Sequence, residues 1–145
     1  MSNILDPATV VGNAMVALLN SDQVTSFYNW QSWESDADVV LPRGHVNVIC
    51  STPLVDAGAP MQFEIEVVFE GKPKRGSAAV VVAEALGQIQ RPTLATVLEA
   101  LITDGSVTFQ ERAAENIKLI QQIQGDVRRR SISFTLFGHW NVVYQ

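Results

Sequence analysis

From Gly125 to Val143 the chain reads GDVRRRSISFTLFGHWNVV, and this stretch most constrains the fold. From Ile132 the even positions are Ile132, Phe134, Leu136, Gly138, Trp140 and Val142. The odd positions are Ser131, Ser133, Thr135, Phe137, His139 and Asn141. Side chains alternate sides along a strand, so this spacing predicts one apolar face and one mostly polar face. Such a strand needs other strands beside it and helices over its apolar side.

Earlier segments supply both. Asp6-Pro7 reads as a helix start, a capping carboxylate before a proline at the first helical position. Val10, Val11, Met15, Leu18 and Leu19 then recur at helical spacing up to Asn20–Asp22. Phe27, Tyr28, Trp30 and Trp33 follow without a clean period, as an irregular connection with aromatic anchors. Those rings fit either the edge of the core or a subunit interface. After Pro42, His45–Ser51 alternates, with Val46, Val48 and Cys50 opposite His45, Asn47 and Ile49. Met61–Glu70 does the same: Met61, Phe63, Ile65, Val67 and Phe69 line one face, and Gln62, Glu64, Glu66 and Glu70 the other. Val68 is the exception. The short turn rich in Gly, Pro and Asp between the two strands predicts a hairpin.

Ser77 is placed to cap a helix through Ala78, Val81, Val82, Ala85, Leu86 and Ile89, and Arg91-Pro92 interrupts it. Thr93–Thr103 resumes the helical spacing and Asp104-Gly105 ends it. Val107–Glu111 is a short strand. Arg112–Gln124 fits two readings, a narrow helical stripe of Ala113, Ile117 and Ile120 or an extended arm. The sum is one α+β domain over residues 1–145. We expect a two-layer sandwich, with a mixed, mostly antiparallel sheet of about four strands and helices on one face.

Chemistry is sparse. The two histidines, His45 and His139, fall on polar strand faces and read as exposed. They approach one another only if their strands are neighbours. One cysteine and no clustered histidines argue against a structural zinc, and no cofactor motif is present. Cys50 shares the parity of Val46 and Val48, which places it in the core. Glu64 and Glu66 lie on one face about 7 Å apart by strand rise. That spacing suits acid–base work or a solvated, cross-strand-paired face. Ser131, Ser133 and Thr135, with Arg129 before them, offer the facing partners.

The charge pattern bears on partners. Net charge is −5, which disfavours a nucleic-acid grip built on basic surface. Residues 1–42 hold five acids (Asp6, Asp22, Glu34, Asp36, Asp38) and no Lys or Arg. Basic density sits at Lys72, Lys74 and Arg75 and at Arg128, Arg129 and Arg130, suited to a neighbouring subunit's acids or a phosphate backbone. No apolar run approaches a bilayer's span, and the N-terminal apolar stretch lacks a basic lead-in, so a soluble protein made in the cytoplasm is expected.

The layout resembles a known family. An N-terminal helix within the acidic first third is followed by LPRGHVNV (Leu41–Val48), a hairpin ending in FEIEVVFEGK, a long helical stretch and GDVRRRSISFTLFGHW. In length, element order and strand style this is similar to the tail-terminator and head–tail joining proteins of tailed bacteriophages. The resemblance implies a structural virion protein, not an enzyme, with no cofactor or metal. Six copies would form a ring at the head-proximal end of the tail that ends the tail tube and docks the head connector. Genomic DNA would pass through the lumen without sequence-specific binding. A ring repeats one heterologous interface, so unlike complementary patches on a protomer are required. Candidate interface residues are Arg128, Arg129, Arg130, Lys72, Lys74, Arg75, Phe27, Trp30, Trp33, Glu64 and Glu66. A second reading is a small cytosolic α+β enzyme or ligand-binding domain using Glu64, Glu66, His45 and His139. A third, a nucleic-acid-binding domain using the two basic segments, is opposed by the net charge.

Overall fold

Asp6 and Pro7 start the first helix as their types require. In a computed structural model that describes residues 6–28, 30–32, 43–51, 61–71, 77–103, 105–124 and 127–141, α1 spans Pro7–Ser21. The Asp6 carboxylate accepts from the Thr9 amide at 2.9 Å and from the Thr9 hydroxyl at 2.8 Å. The Thr9 amide above all holds the Asp6 carboxyl below its ordinary pKa. Val11, Ala14, Met15 and Leu19 are the buried stripe.

The aromatic connection is more regular than its sequence suggests. A 3₁₀ turn, Thr25–Tyr28, leads into a three-residue strand β1, Trp30–Ser32. Tyr28 and Trp30 are buried with Phe69, their ring centroids 5.4 and 4.8 Å from it in edge-on packing. The Trp30 indole N–H donates to the Thr25 carbonyl at 2.8 Å, which removes the cost of burying that donor. Trp30 therefore belongs to the core of the protomer, the first of the two roles open to these rings. The Phe27 side chain and Trp33 lie outside the described residues.

β2 (Arg43–Ser51) and β3 (Met61–Gly71) form the expected antiparallel hairpin pair. The helical stretch is two helices, α2 (Ser77–Gln90) and α3 (Leu94–Leu101), separated at Arg91-Pro92-Thr93. Ser77 is itself the first helical residue, and its side chain lies outside the described residues. Gly105 has a left-handed backbone (φ +68°) in the turn to β4, Val107–Phe109. Residues 115–124 are strand β5, so the extended-arm reading of Arg112–Gln124 holds and the helical one does not. β6 is the closing strand, Val127–Trp140.

Among the described residues the sheet has six strands, where about four were expected. Its order is β1-β2-β3-β6-β4, with β5 pairing β6 beside β4's position on the same edge. Among the described strands only the β1–β2 pair is parallel. The two strands missed by pattern are β1, too short to show a period, and β5, whose apolar residues obey no single alternation. The β6 register confirms its parity: Ile132, Phe134 and Leu136 are buried opposite Val67, Ile65 and Phe63. Helices cover that face. Gly138 is required where β4 crosses β6, because a Cβ there would collide with the Thr108 carbonyl and lie 3.2 Å from Phe109 Cα.

Candidate functional site

The face of the sheet away from the helices reads as rows across four strands. Taken in order β2, β3, β6, β5, the rows are Arg43-Glu70-Arg129-Gln122, then His45-Val68-Ser131-Ile120, then Asn47-Glu66-Ser133-Lys118, then Ile49-Glu64-Thr135-Glu115. Charge and polarity are therefore set by strand parity, but the neighbours are set by register. The sequence pairing of Glu64 and Glu66 with the hydroxyl face of β6 is correct: Glu64 lies opposite Thr135 and Glu66 opposite Ser133.

Ionic contacts on this face are internal to the chain. Arg43 Nη2 donates to Glu70 Oε1 at 3.1 Å, and Arg129 Nη2 lies 3.8 Å from Glu66 Oε1. Asn47 Nδ2 donates to the same Glu66 oxygen at 3.0 Å. Arg129 thus finds its acid within its own protomer. The adjacent arginines alternate sides as strand residues must, with Arg128 and Arg130 on the helix-side parity and Arg128 exposed. Lys72, Lys74 and Arg75 lie outside the described residues.

His45 corrects an expectation. It is only 7% exposed although it sits on the polar-parity face, and its Nδ1 is 3.7 Å from Glu70 Oε1. Burial lowers its pKa from 6.5, partly opposed by the attraction of Glu70. The same row explains Val68: it fills the place between His45 and Ser131, both buried. Glu70, the carboxylate beside His45, and Arg43, which pairs with Glu70, were absent from the candidate set. The polar parity of Glu70 on its strand was the signal that pointed to it.

The four residues of the enzyme reading do not converge. His139 is exposed and lies opposite Thr108, eight residues along β6 from Ser131, the residue level with His45. That separation is about 26 Å at strand rise. Glu64 is exposed and four residues from the position opposite His45, so neither acid of the proposed pair is its nearest carboxylate. Between the β3 acids and β5 runs an open groove of about 390 Å³, with Ser133 and Thr135 as its floor and Asn47, Glu64, Glu66 and Lys118 on its walls. It forms because the β6 side chains there are short while those on both neighbours are long.

No protein-family model matches this chain, and no curated protein sequence does. Among the described residues, no three His, Cys, Asp or Glu side chains gather in a way that would hold a metal ion. No helix among them is long and apolar enough to cross a membrane. Cys50 is half-buried and its thiol is pushed up to about 12 by burial, so it is a poor nucleophile.

Chemical distinction lies instead at the sheet's edge. β5 is ten residues long and outermost. Leu119 is 42% exposed, Ile120 47% and Ile123 71%. Leu119 and Ile123 lie on the helix-side parity and Ile120 on the other, so the strand is apolar on both faces beyond the reach of the helices. Near its start, three residue steps on β5 match two on β6 between Glu115 and Lys118, a bulge in which Asn116 takes φ +55°. Arg112, ion-paired with Glu115, lies over the Phe137 ring at 4.6 Å and fixes the chain just before the bulge.

Proposed function

We propose that the protein is a structural subunit of a tailed-phage virion, a tail terminator that assembles as a ring, six copies in the simplest case. The ring sits at the head-proximal end of the tail, ends the tail tube and docks the head connector, and genomic DNA passes through its lumen. The observation that carries this reading is the β5 edge. A long outer strand with Leu119, Ile120 and Ile123 exposed is a surface for association, since water-exposed apolar strand edges are otherwise an aggregation hazard. The layout from the first helix, set in an acidic first third of the chain, to the closing strand supports the choice of assembly.

Native mass and negative-stain imaging test it, with the chain alone and with purified tail tubes. The expected result is a closed ring, alone or seated on the tube end, and tubes of fixed length. A chain that stays monomeric at high concentration and leaves tubes uncapped would overturn the reading.

A further inference from the structure

The sheet has two edges, and they are unlike. One is β5. The other is β2, where β1 pairs only with Gly44 to Val46, so Asn47 to Ser51 have no strand beside them among the described residues. An unpaired strand presents main-chain N–H and C=O groups in a row, and the partner that satisfies them is another extended chain. Both edges also carry exposed isoleucine: Ile49, 64% exposed, on β2, and Ile120 on β5. The geometry points to β5 of one copy pairing with the free half of β2 on the next copy. This rests on the ring reading and names the interface that would build the ring.

Strand direction supports the match. β3 is antiparallel to β2, β6 to β3 and β5 to β6, so β5 runs opposite to β2. Two copies related by a rotation that preserves strand direction therefore bring β5 against β2 as an antiparallel pair. With Ile120 opposite Ile49, Leu119 falls opposite Cys50 and Gln121 opposite Val48 on the helix-side face. On the outer face Gln122 falls opposite Asn47 and Lys118 opposite Ser51. Apolar residues meet on both faces, two amides meet beside them, and the single charge faces a hydroxyl, so no like charges are opposed. A one-residue slip would set each face against the other, and a two-residue slip would break the isoleucine pair. The contact joins two different edges, so its repetition closes a ring or extends a filament.

Disulfide trapping tests the pairing. Ile49→Cys and Ile120→Cys are made singly and together on a Cys50→Ser background and oxidised with copper–phenanthroline. Within one chain the two positions are three strand spacings apart across the sheet, about 14 Å, and four residues apart along it, about 13 Å, so they cannot bridge internally. The expected result is that neither single variant cross-links alone, that mixing them gives covalent dimers, and that the double variant gives a ladder ending at the ring number. Moving the second cysteine to Ile123, about 10 Å along the strand, should abolish the product. Dimers from Ile120→Cys alone would mean a two-fold β5–β5 contact and overturn the proposal. Rings seen for the unmodified chain with no cross-link in the mixture would also overturn it, while leaving the ring reading intact. A chain that forms no ring, alone or on tail tubes, would overturn the ring reading itself.

Discussion

Trp30 occupies the space that a side chain on Gly44 would need. The two are direct partners in the parallel β1–β2 pair, and a Cβ on Gly44 would lie 2.6 Å from the indole Cδ2 and Cζ3 atoms. Asn20 holds the Trp30 backbone from the other side, its Oδ1 accepting from the Trp30 amide at 2.8 Å and its Nδ2 donating to the Trp30 carbonyl at 3.1 Å. The ring cannot retreat without breaking that clamp or its contact with Phe69. Gly44→Ala should therefore destabilise the fold by about 1–3 kcal/mol, the usual range for overpacking. Urea unfolding checks it, with an unchanged denaturant slope and a red shift in tryptophan emission if the indole is displaced.

Asp22 joins three elements. Its Oδ1 accepts from the Val24 and Thr25 amides at 2.8 and 3.0 Å, and its Oδ2 accepts from Gln88 Nε2 at 2.8 Å. Gln88 is buried, so Asp22→Ala would strand a buried donor as well as two turn amides, a loss of roughly 1–3 kcal/mol. The Thr25 amide above all lowers the Asp22 pKa from 3.8. A depressed carboxyl contributes stability above its ordinary value and loses it as pH falls through the folded value. The gap between the natural chain and Asp22→Ala, measured by denaturant unfolding, should be full at pH 7 and shrink below about pH 3.8.

His45 adds a separate pH window. Burial is the main cause of its lowered pKa; Arg43 and Arg129 act in the same direction, and Glu70 and Glu66 oppose them. Below 6.5 the unfolded chain takes up a proton that the folded chain resists, so stability falls as pH drops from that value. Denaturation midpoints from pH 8 to pH 5 should decline for the natural chain and decline less for His45→Gln. Equal slopes would show that His45 does not titrate differently on folding.

Arg129 and Arg128 should behave differently despite adjacency. The Arg129–Glu66 pair is partly exposed and 3.8 Å long, so Arg129→Ala should cost under about 1 kcal/mol. Arg129→Glu should cost more, because it sets a third carboxylate among Glu66 and Glu70. Arg128→Glu should leave the protomer's thermal unfolding unchanged, since Arg128 is exposed on the opposite parity. Thermal melts of the three variants separate these outcomes.

Much of the fold was legible because it is written locally. The Asp6-Pro7 cap, the parity of β2, β3 and β6 and the break at Arg91-Pro92 each depend on residues within a few positions. That Glu64 and Glu66 share a face with Ser133 and Thr135 followed from parity once β3 and β6 were neighbours, whereas which residue faces which is set by register. β5 was ambiguous because Ala113, Ile117 and Ile120 also fit a narrow helical stripe, no strand alternation runs through its apolar residues, and the Asn116 bulge shifts the phase within the strand. His45 was misjudged for a different reason. Its own strand gives it a polar parity, but burial depends on what the other strands and segments place around it.

For every helix and strand except β1 and β5, the sequence by itself determined the type of segment and which residues share a face, because backbone geometry imposes those periods on any chain. It also determined that the closing strand has one apolar side. Tertiary structure alone decided that this strand lies inside the sheet, paired on both sides, and that β5 takes the outer edge. Strand order is fixed by hydrogen bonds and packing between residues far apart in the chain, and no local period encodes it. That is why the proposed contact surface lies on the edge of β5 rather than on the polar face of β6.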